Sequence, residues 1–147
     1  MLFLVIGASD GLASVHTYPE GSDGMMYRSL QTLRDRSNQA WQVVLYKQVQ
    51  GGLTQSLHLR LVGFPGGAAL EHPHSLKITT GTERIWLAPE TPPVTDTSNV
   101  AEYDLLEVMR ELNSTTPLRL TVPIQRQPIE LPVPPFAVEE WRQVAQK

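Results

Sequence analysis

Apolar and polar residues alternate along much of the chain, and this pattern predicts β-strands. It is clearest over 53–62, where Leu53, Leu57, Leu59 and Leu61 are separated by polar residues. Successive side chains of a strand point to opposite faces of a sheet. We therefore expect these leucines to be buried on one face while the polar side chains meet solvent, as in an antiparallel sheet.

Five further segments predict strands in the same way: Met25–Leu33, Ala40–Val49, Leu76–Thr80, Arg84–Ala88 and an alternating run from Leu118 to Ile124. Short turns separate several of them, and Gly51-Gly52 supplies the positive φ angles that a tight hairpin needs. In the hairpin at 76–88, the residues expected to face inward are Leu76, Ile78, Ile85 and Leu87.

Two helices are predicted in the C-terminal half. Asn99 and Glu102 resemble a capping box, which predicts a helix over 99–113. Its apolar stripe is Leu105, Met109 and Leu112. A short second helix is expected after Phe136, with Val138 and Trp141 on its apolar side. The proline-rich segment 128–135 is predicted to run extended without ladder hydrogen bonds.

These elements predict a mainly β protein of the α+β type. We expect a small antiparallel β-sandwich or half-open barrel, with one central helix and a short C-terminal helix. The chain has 147 residues, enough for a single domain with a sizeable core. We assign residues 14–147 to this one globular domain, since we see no repeat and no flexible linker.

The N-terminus has the features of a shortened export signal. Met1 to Ala8 is strongly apolar, and Gly11-Leu12-Ala13 has the small-x-small form of a cleavage site. We therefore interpret residues 1–13 as a truncated signal peptide that is cut after Ala13. The alternative is a buried first strand, because no basic residue precedes the apolar run and the run is short.

Composition excludes several functional classes. Twelve basic and fifteen acidic residues give a net charge of −3, so the chain lacks the basic surface expected of a nucleic-acid-binding protein. No apolar run approaches the ~18 residues of a spanning helix. The absence of cysteine excludes disulfides, thiolate catalysis and cysteine-ligated metals.

Few residues suggest specific chemistry. His72 and His74 flank a proline and share a side of an extended segment, so they could bind a divalent metal together with Glu71 or His58. The alternative is a solvated loop, because two histidines alone do not complete a tight site.

Trp86 alternates with the apolar residues beside it, and together with Tyr46 and Arg60 it is our candidate ligand-binding set. The alternative for Trp86 is coverage by a helix. We predict no catalytic residues and no cofactor.

Several segments of the chain also resemble a known group of proteins. The chain is similar to a family of uncharacterised, exported cyanobacterial proteins, a domain of unknown function, over about 16–141. That resemblance implies a periplasmic or thylakoid-lumen location and supplies no activity. The segments that carry it are Met26-Tyr27-Arg28-Ser29, Ala40-Trp41-Gln42-Val43-Val44-Leu45-Tyr46, Leu59-Arg60-Leu61-Val62-Gly63-Phe64-Pro65-Gly66, Asn99-Val100-Ala101-Glu102-Tyr103-Asp104-Leu105 and Pro134-Pro135-Phe136-Ala137-Val138-Glu139-Glu140-Trp141.

Three functional hypotheses follow. We favour an exported, non-catalytic domain that binds a protein partner in a membrane-associated complex, at the photosynthetic membrane. The second is a carrier of a small apolar ligand, with its opening near Trp86 and Tyr46. The third is a hydrolase with a site around His58, His72 or His74. If the leader is not a signal, the location would be cytoplasmic instead.

Overall fold

A computed structural model describes residues 15–82, 84–92 and 97–147. The predicted signal peptide at 1–13 lies outside these residues. The described elements are β1 (Val15–Glu20), β2 (Gly24–Arg34), β3 (Ala40–Gln50), β4 (Leu53–Val62), β5 (Leu76–Thr80), β6 (Ile85–Ala88), β7 (Val100–Asp104), α1 (Leu106–Glu111), β8 (Leu118–Val122), β9 (Ile129–Val133) and α2 (Pro135–Ala145).

The strands form two antiparallel sheets. The larger sheet has the order β1-β2-β3-β4-β7, and the smaller has the order β6-β5-β8-β9. Every paired strand is antiparallel to its neighbour. The prediction of a mainly antiparallel α+β fold is confirmed, and the described strands form a sandwich-like pair of sheets rather than a closed barrel.

Alternation along the strands builds the core. Leu57, Leu59 and Leu61 are at most 2% exposed, as predicted, and the inner faces of both sheets contribute to one apolar cluster. Helix α2 packs against the inner face of β2 and β3. There its Trp141 is fully buried, and Lys47 Nζ donates to the carbonyl oxygen of Ala145 at 2.8 Å.

The helix predicted over 99–113 is mostly absent, and a strand forms the first part of this segment. Residues Val100–Asp104 form β7, and only Leu106–Glu111 are helical. Strand β7 pairs with β4, and this pairing buries Ala101 and Tyr103 on the core face. Pairing along a whole strand outweighs the capping signal, and the Asn99 side chain instead donates to the carbonyl oxygen of Gly63 at 2.9 Å.

The proline-rich segment also departs from its prediction. Ile129–Val133 is strand β9, and it pairs with β8 through five residues of register. The expectation of no ladder pairing was wrong. Strand β9 lies at a sheet edge, where Pro132 can lack a donor N–H without breaking the sheet.

Two predictions about which side chains face inward were also wrong. In β6, Ile85 and Leu87 are 56% and 68% exposed, because the register places Trp86 opposite the buried Ile78. All four residues of β6 are apolar, so the sequence pattern does not indicate which face of the strand is buried. Leu53 is 70% exposed. A register shift between β3 and β4, close to the turn before Leu53, interrupts the alternation there.

Candidate functional site

The face of the larger sheet that points away from the core carries several aromatic and charged side chains. The strand register places Arg28 beside Tyr46, and Tyr46 beside His58. One row further along, Arg60 lies beside Glu102. We call this surface the outer face, and it consists of Tyr18, Arg28, Leu30, Tyr46, His58, Arg60 and Glu102.

Glu102 is the central acceptor of the outer face. Its side chain is only 4% exposed, although it lies on the side of the sheet away from the core. Tyr46 donates its hydroxyl to Glu102 Oε1 at 2.7 Å, and Arg60 Nε donates to Glu102 Oε2 at 2.5 Å. His58 Nδ1 lies 3.6 Å from Oε1. A buried carboxylate is stable here because a guanidinium and a phenol hydrogen-bond to it.

These contacts fix the protonation of Tyr46. Burial, followed by the hydrogen bond to Glu102 and the negative charge of Glu102, raises the pKa of Tyr46 to about 12. The hydroxyl is therefore protonated at neutral pH and acts as a donor rather than as a base. The Arg60 guanidinium lies 5.9 Å from the Tyr46 ring centroid, so it also orients the ring.

A second contact orders the other half of the outer face. Arg28 Nη2 donates to the Tyr18 hydroxyl at 2.7 Å, and its guanidinium carbon lies 4.9 Å from the Tyr18 ring centroid. Leu30 lies on the same face of β2 and is 44% exposed. The outer face thus combines an exposed aliphatic side chain with two arginine–tyrosine pairs held in fixed positions.

The structure brings together three of the six predicted site residues and places Trp86 elsewhere. Tyr46, Arg60 and His58 all belong to the outer face. Trp86 lies on β6 of the smaller sheet, where it is 8% exposed and donates Nε1 to Glu111 Oε1 at 2.8 Å. Helix α1, which carries Glu111, therefore covers Trp86, as the alternative interpretation expected.

Glu102 is the residue that the sequence analysis missed. It was interpreted as part of a helix cap, whereas β7 places it opposite Arg60. The alternation of Ala101 and Tyr103 with Glu102 was the available signal, because it has the period of a strand.

The other two predicted metal ligands lie on the segment before β5. His72 Nδ1 contacts the Glu90 carboxylate, and the His74 backbone N–H donates to Glu90 Oε1 at 2.9 Å. Within the three described ranges, no three His, Asp or Glu side chains form a group that could hold a metal. The metal site stays a prediction for metal titration.

Comparison with known proteins gives a family and no activity. A family described as "Protein of unknown function (DUF3122)" matches residues 13–144. The chain belongs to the DUF3122 family. No curated protein and no solved structure matches it. None of the helices described for this DUF3122 domain is both long enough and apolar enough to cross a bilayer.

Proposed function

We propose that this DUF3122 domain is an exported, non-catalytic binding domain that docks a protein partner on its outer face. Arginine and tyrosine are the residues most enriched, with tryptophan, among those that dominate binding energy at protein interfaces. The outer face presents two of each, with Leu30 exposed two residues from Arg28 on β2. This combination of side chains carries the proposal.

The hydrogen bonds within the outer face support this function. Arg60 and Tyr46 are both bound to Glu102, and Arg28 is bound to Tyr18. Side chains that are already ordered lose less conformational entropy when a partner binds. A Tyr46 hydroxyl that stays protonated and a Glu102 carboxylate that is already hydrogen-bonded favour binding over acid–base chemistry.

The charge of Arg28 indicates the chemistry of the partner. Arg60 is neutralised by Glu102, whereas Arg28 hydrogen-bonds to a neutral phenol and forms no ion pair within the described residues. A carboxylate on the partner would complete the Arg28 site with a charge-assisted hydrogen bond. We therefore propose a partner that presents an Asp or Glu beside an apolar residue, which would cover Leu30.

The location forms part of the proposal. An apolar N-terminal segment that ends in Gly11-Leu12-Ala13 supports export. The resemblance to exported cyanobacterial proteins implies the periplasm or thylakoid lumen, and the proposed partner there belongs to a complex at the photosynthetic membrane. The intact mass of the native protein tests the export step. Loss of residues 1–13 is the expected result, and a mass that retains Met1 to Ala13 contradicts export.

Cross-linking tests the surface. A photoreactive residue at position 30 should capture a partner in cells, and the same residue at position 87 is the matched control. Leu30 and Leu87 are both exposed leucines, but Leu87 lies on the smaller sheet. Leu30→Asp, made without the photoreactive residue, should weaken binding of the captured partner at least about tenfold, a loss of about 1.4 kcal/mol. Arg28→Glu, combined with the photoreactive residue at position 30, should reduce capture by a similar factor. Leu87→Asp should not change it.

Charge exchange then decides whether the captured protein uses the proposed chemistry. Replacing the partner's acidic residue beside the cross-linked position with Lys should restore binding to the Arg28→Glu variant. Equal capture from positions 30 and 87, or a captured partner whose charge exchange does not restore binding, would overturn the proposal. Thermal unfolding of each variant shows whether the domain is still folded.

A further inference from the structure

A groove opens between the two sheets, and none of the residues that define the outer face lines it. It lies where the C-terminal end of β2 approaches β8, β9 and the first turn of α2, and it is open to solvent with a volume of about 560 Å³. Ligand pockets commonly measure about 300–1,000 Å³. We call it the inter-sheet groove.

The floor of the inter-sheet groove is apolar. Leu33, Leu118 and Val133 lie at its base as part of the packed core and are at most 6% exposed, so Phe136 and the prolines of the lining supply most of its accessible apolar surface. Phe136 also lines the groove and is 50% exposed, although an aromatic ring of this size is usually buried. Three prolines complete the lining, and they bring no backbone N–H groups that would need a partner. The lining therefore suits an aliphatic chain.

The rim of the inter-sheet groove is positively charged. Arg34, Arg36 and Arg119 line it, and none of its described lining residues is acidic. Glu130 is the nearby carboxylate, and two of the arginines share it: Arg36 Nε lies 3.1 Å from it and Arg119 Nη1 lies 3.4 Å from it. Two of the three guanidinium groups at the rim therefore share one carboxylate, and Arg34 forms no ion pair within the described residues.

The arginines of the rim are available to a ligand. The side chains of Arg36 and Arg119 are 61% and 43% exposed. Arg34 is also exposed, and its Nη1 donates to the backbone carbonyl of Asn38 at 2.9 Å. Each guanidinium has five N–H donors, so these contacts leave donors for an anion.

We propose that the inter-sheet groove binds an amphipathic carboxylate, with its aliphatic chain on the apolar floor and its carboxylate at the arginine rim. Charge complementarity selects an anion over a neutral or cationic head group. A volume of about 560 Å³ is sufficient for a single aliphatic chain. This site is separate from the outer face, and it gives the domain a second ligand of a different chemical class.

Titration with dodecanoate below its micelle concentration tests the site. We expect saturable binding to the full chain by calorimetry, together with amide NMR shifts concentrated at Leu33, Leu118, Val133 and Phe136. Dodecyltrimethylammonium has the same chain with the opposite charge, and acetate has the head group without the chain. Both should bind at least about tenfold more weakly than dodecanoate.

Matched variants separate the floor from the rim. Phe136→Ser and Arg34→Gln should each weaken dodecanoate binding several-fold. Phe64→Ser and Arg110→Gln are the controls, because Phe64 is also an exposed phenylalanine, outside the groove, and Arg110 is an exposed arginine on α1. Both controls should bind dodecanoate as the wild type does.

Three outcomes would overturn the inference: no saturable binding, equal binding of the cationic detergent, or equal losses in the control variants. Binding to vesicles of anionic lipid is measured separately. A protein that binds these vesicles but not free dodecanoate would also contradict a single-chain site. Capture through position 30 should be unaffected by Phe136→Ser, so failure here is distinguishable from failure of the proposed protein-binding function.

Discussion

The Ser29 hydroxyl on β2 donates a hydrogen bond to the Glu140 carboxylate on α2, and both residues are at most 1% exposed. Gln31 Nε2 donates to the same carboxylate oxygen at 3.0 Å. The contact joins residues 111 positions apart and attaches the C-terminal helix to the larger sheet. A buried carboxylate needs such donors, because an unpaired one would carry a large desolvation cost.

Glu140→Ala should therefore destabilise the protein strongly. The substitution leaves the Ser29 hydroxyl buried without this acceptor, and we expect the free energy of unfolding to fall by about 2–3 kcal/mol. Urea denaturation measures the change. Glu139→Ala is the matched control, since Glu139 is the exposed neighbour on the same helix, and its effect should stay within about 0.5 kcal/mol. Similar losses in both variants would contradict a specific role for the Ser29 contact.

Alkaline pH should weaken the contribution of Tyr46 to stability. Its pKa rises from the ordinary value of 10.0 to about 12 on folding, because of burial and the hydrogen bond to Glu102. Between these values the unfolded chain has released the proton while the folded protein retains it. The contribution of Tyr46 to stability is thus fully present below pH 10 and decreases as the pH rises towards 12.

Tyr46→Phe isolates this effect. We expect the wild type to exceed the variant in unfolding free energy by the largest margin below pH 10, and the margin should shrink above it. Urea denaturation from pH 8 to 11.5 measures both proteins. Burial raises the pKa of Tyr103 as well, so a pH dependence remains in the variant. A constant margin over this range would contradict the assignment.

Trp86 should control the acidity of Glu111. The indole hydrogen bond, followed by the contact with Arg84, lowers the pKa of Glu111. A carboxyl group whose pKa is lower in the folded than in the unfolded protein stabilises the fold at pH values above its unfolded pKa. That contribution is lost as the pH falls through the folded pKa. Trp86→Phe should therefore raise the titration midpoint of the Glu111 carboxyl carbon in NMR. Leu87→Ser, at the next position on the exposed face of β6, should leave that midpoint as in the wild type. An unchanged midpoint in Trp86→Phe would remove the indole as a cause.

The candidate site was partly predictable. Alternation around Leu59 correctly placed His58 and Arg60 on one face of a strand, and alternation in β3 placed Tyr46 on a polar face. Glu102 escaped detection, because a residue three positions after Asn99 matches a helix cap and only pairing with β4 shows that it lies in a strand. The inter-sheet groove could not be predicted either, since its lining comes from three strands and a helix.

The sequence by itself determined which segments become strands wherever apolar and polar residues alternate, as in β3 and β4, because one face of such a strand must leave water. Tertiary structure decided the remaining choices. It turned Trp86 inward in an entirely apolar strand, converted a capping pattern into β7 and gave β9 a partner despite its prolines. In these segments local preferences were weak or conflicting, so the burial and hydrogen bonds available only from distant strands determined the conformation.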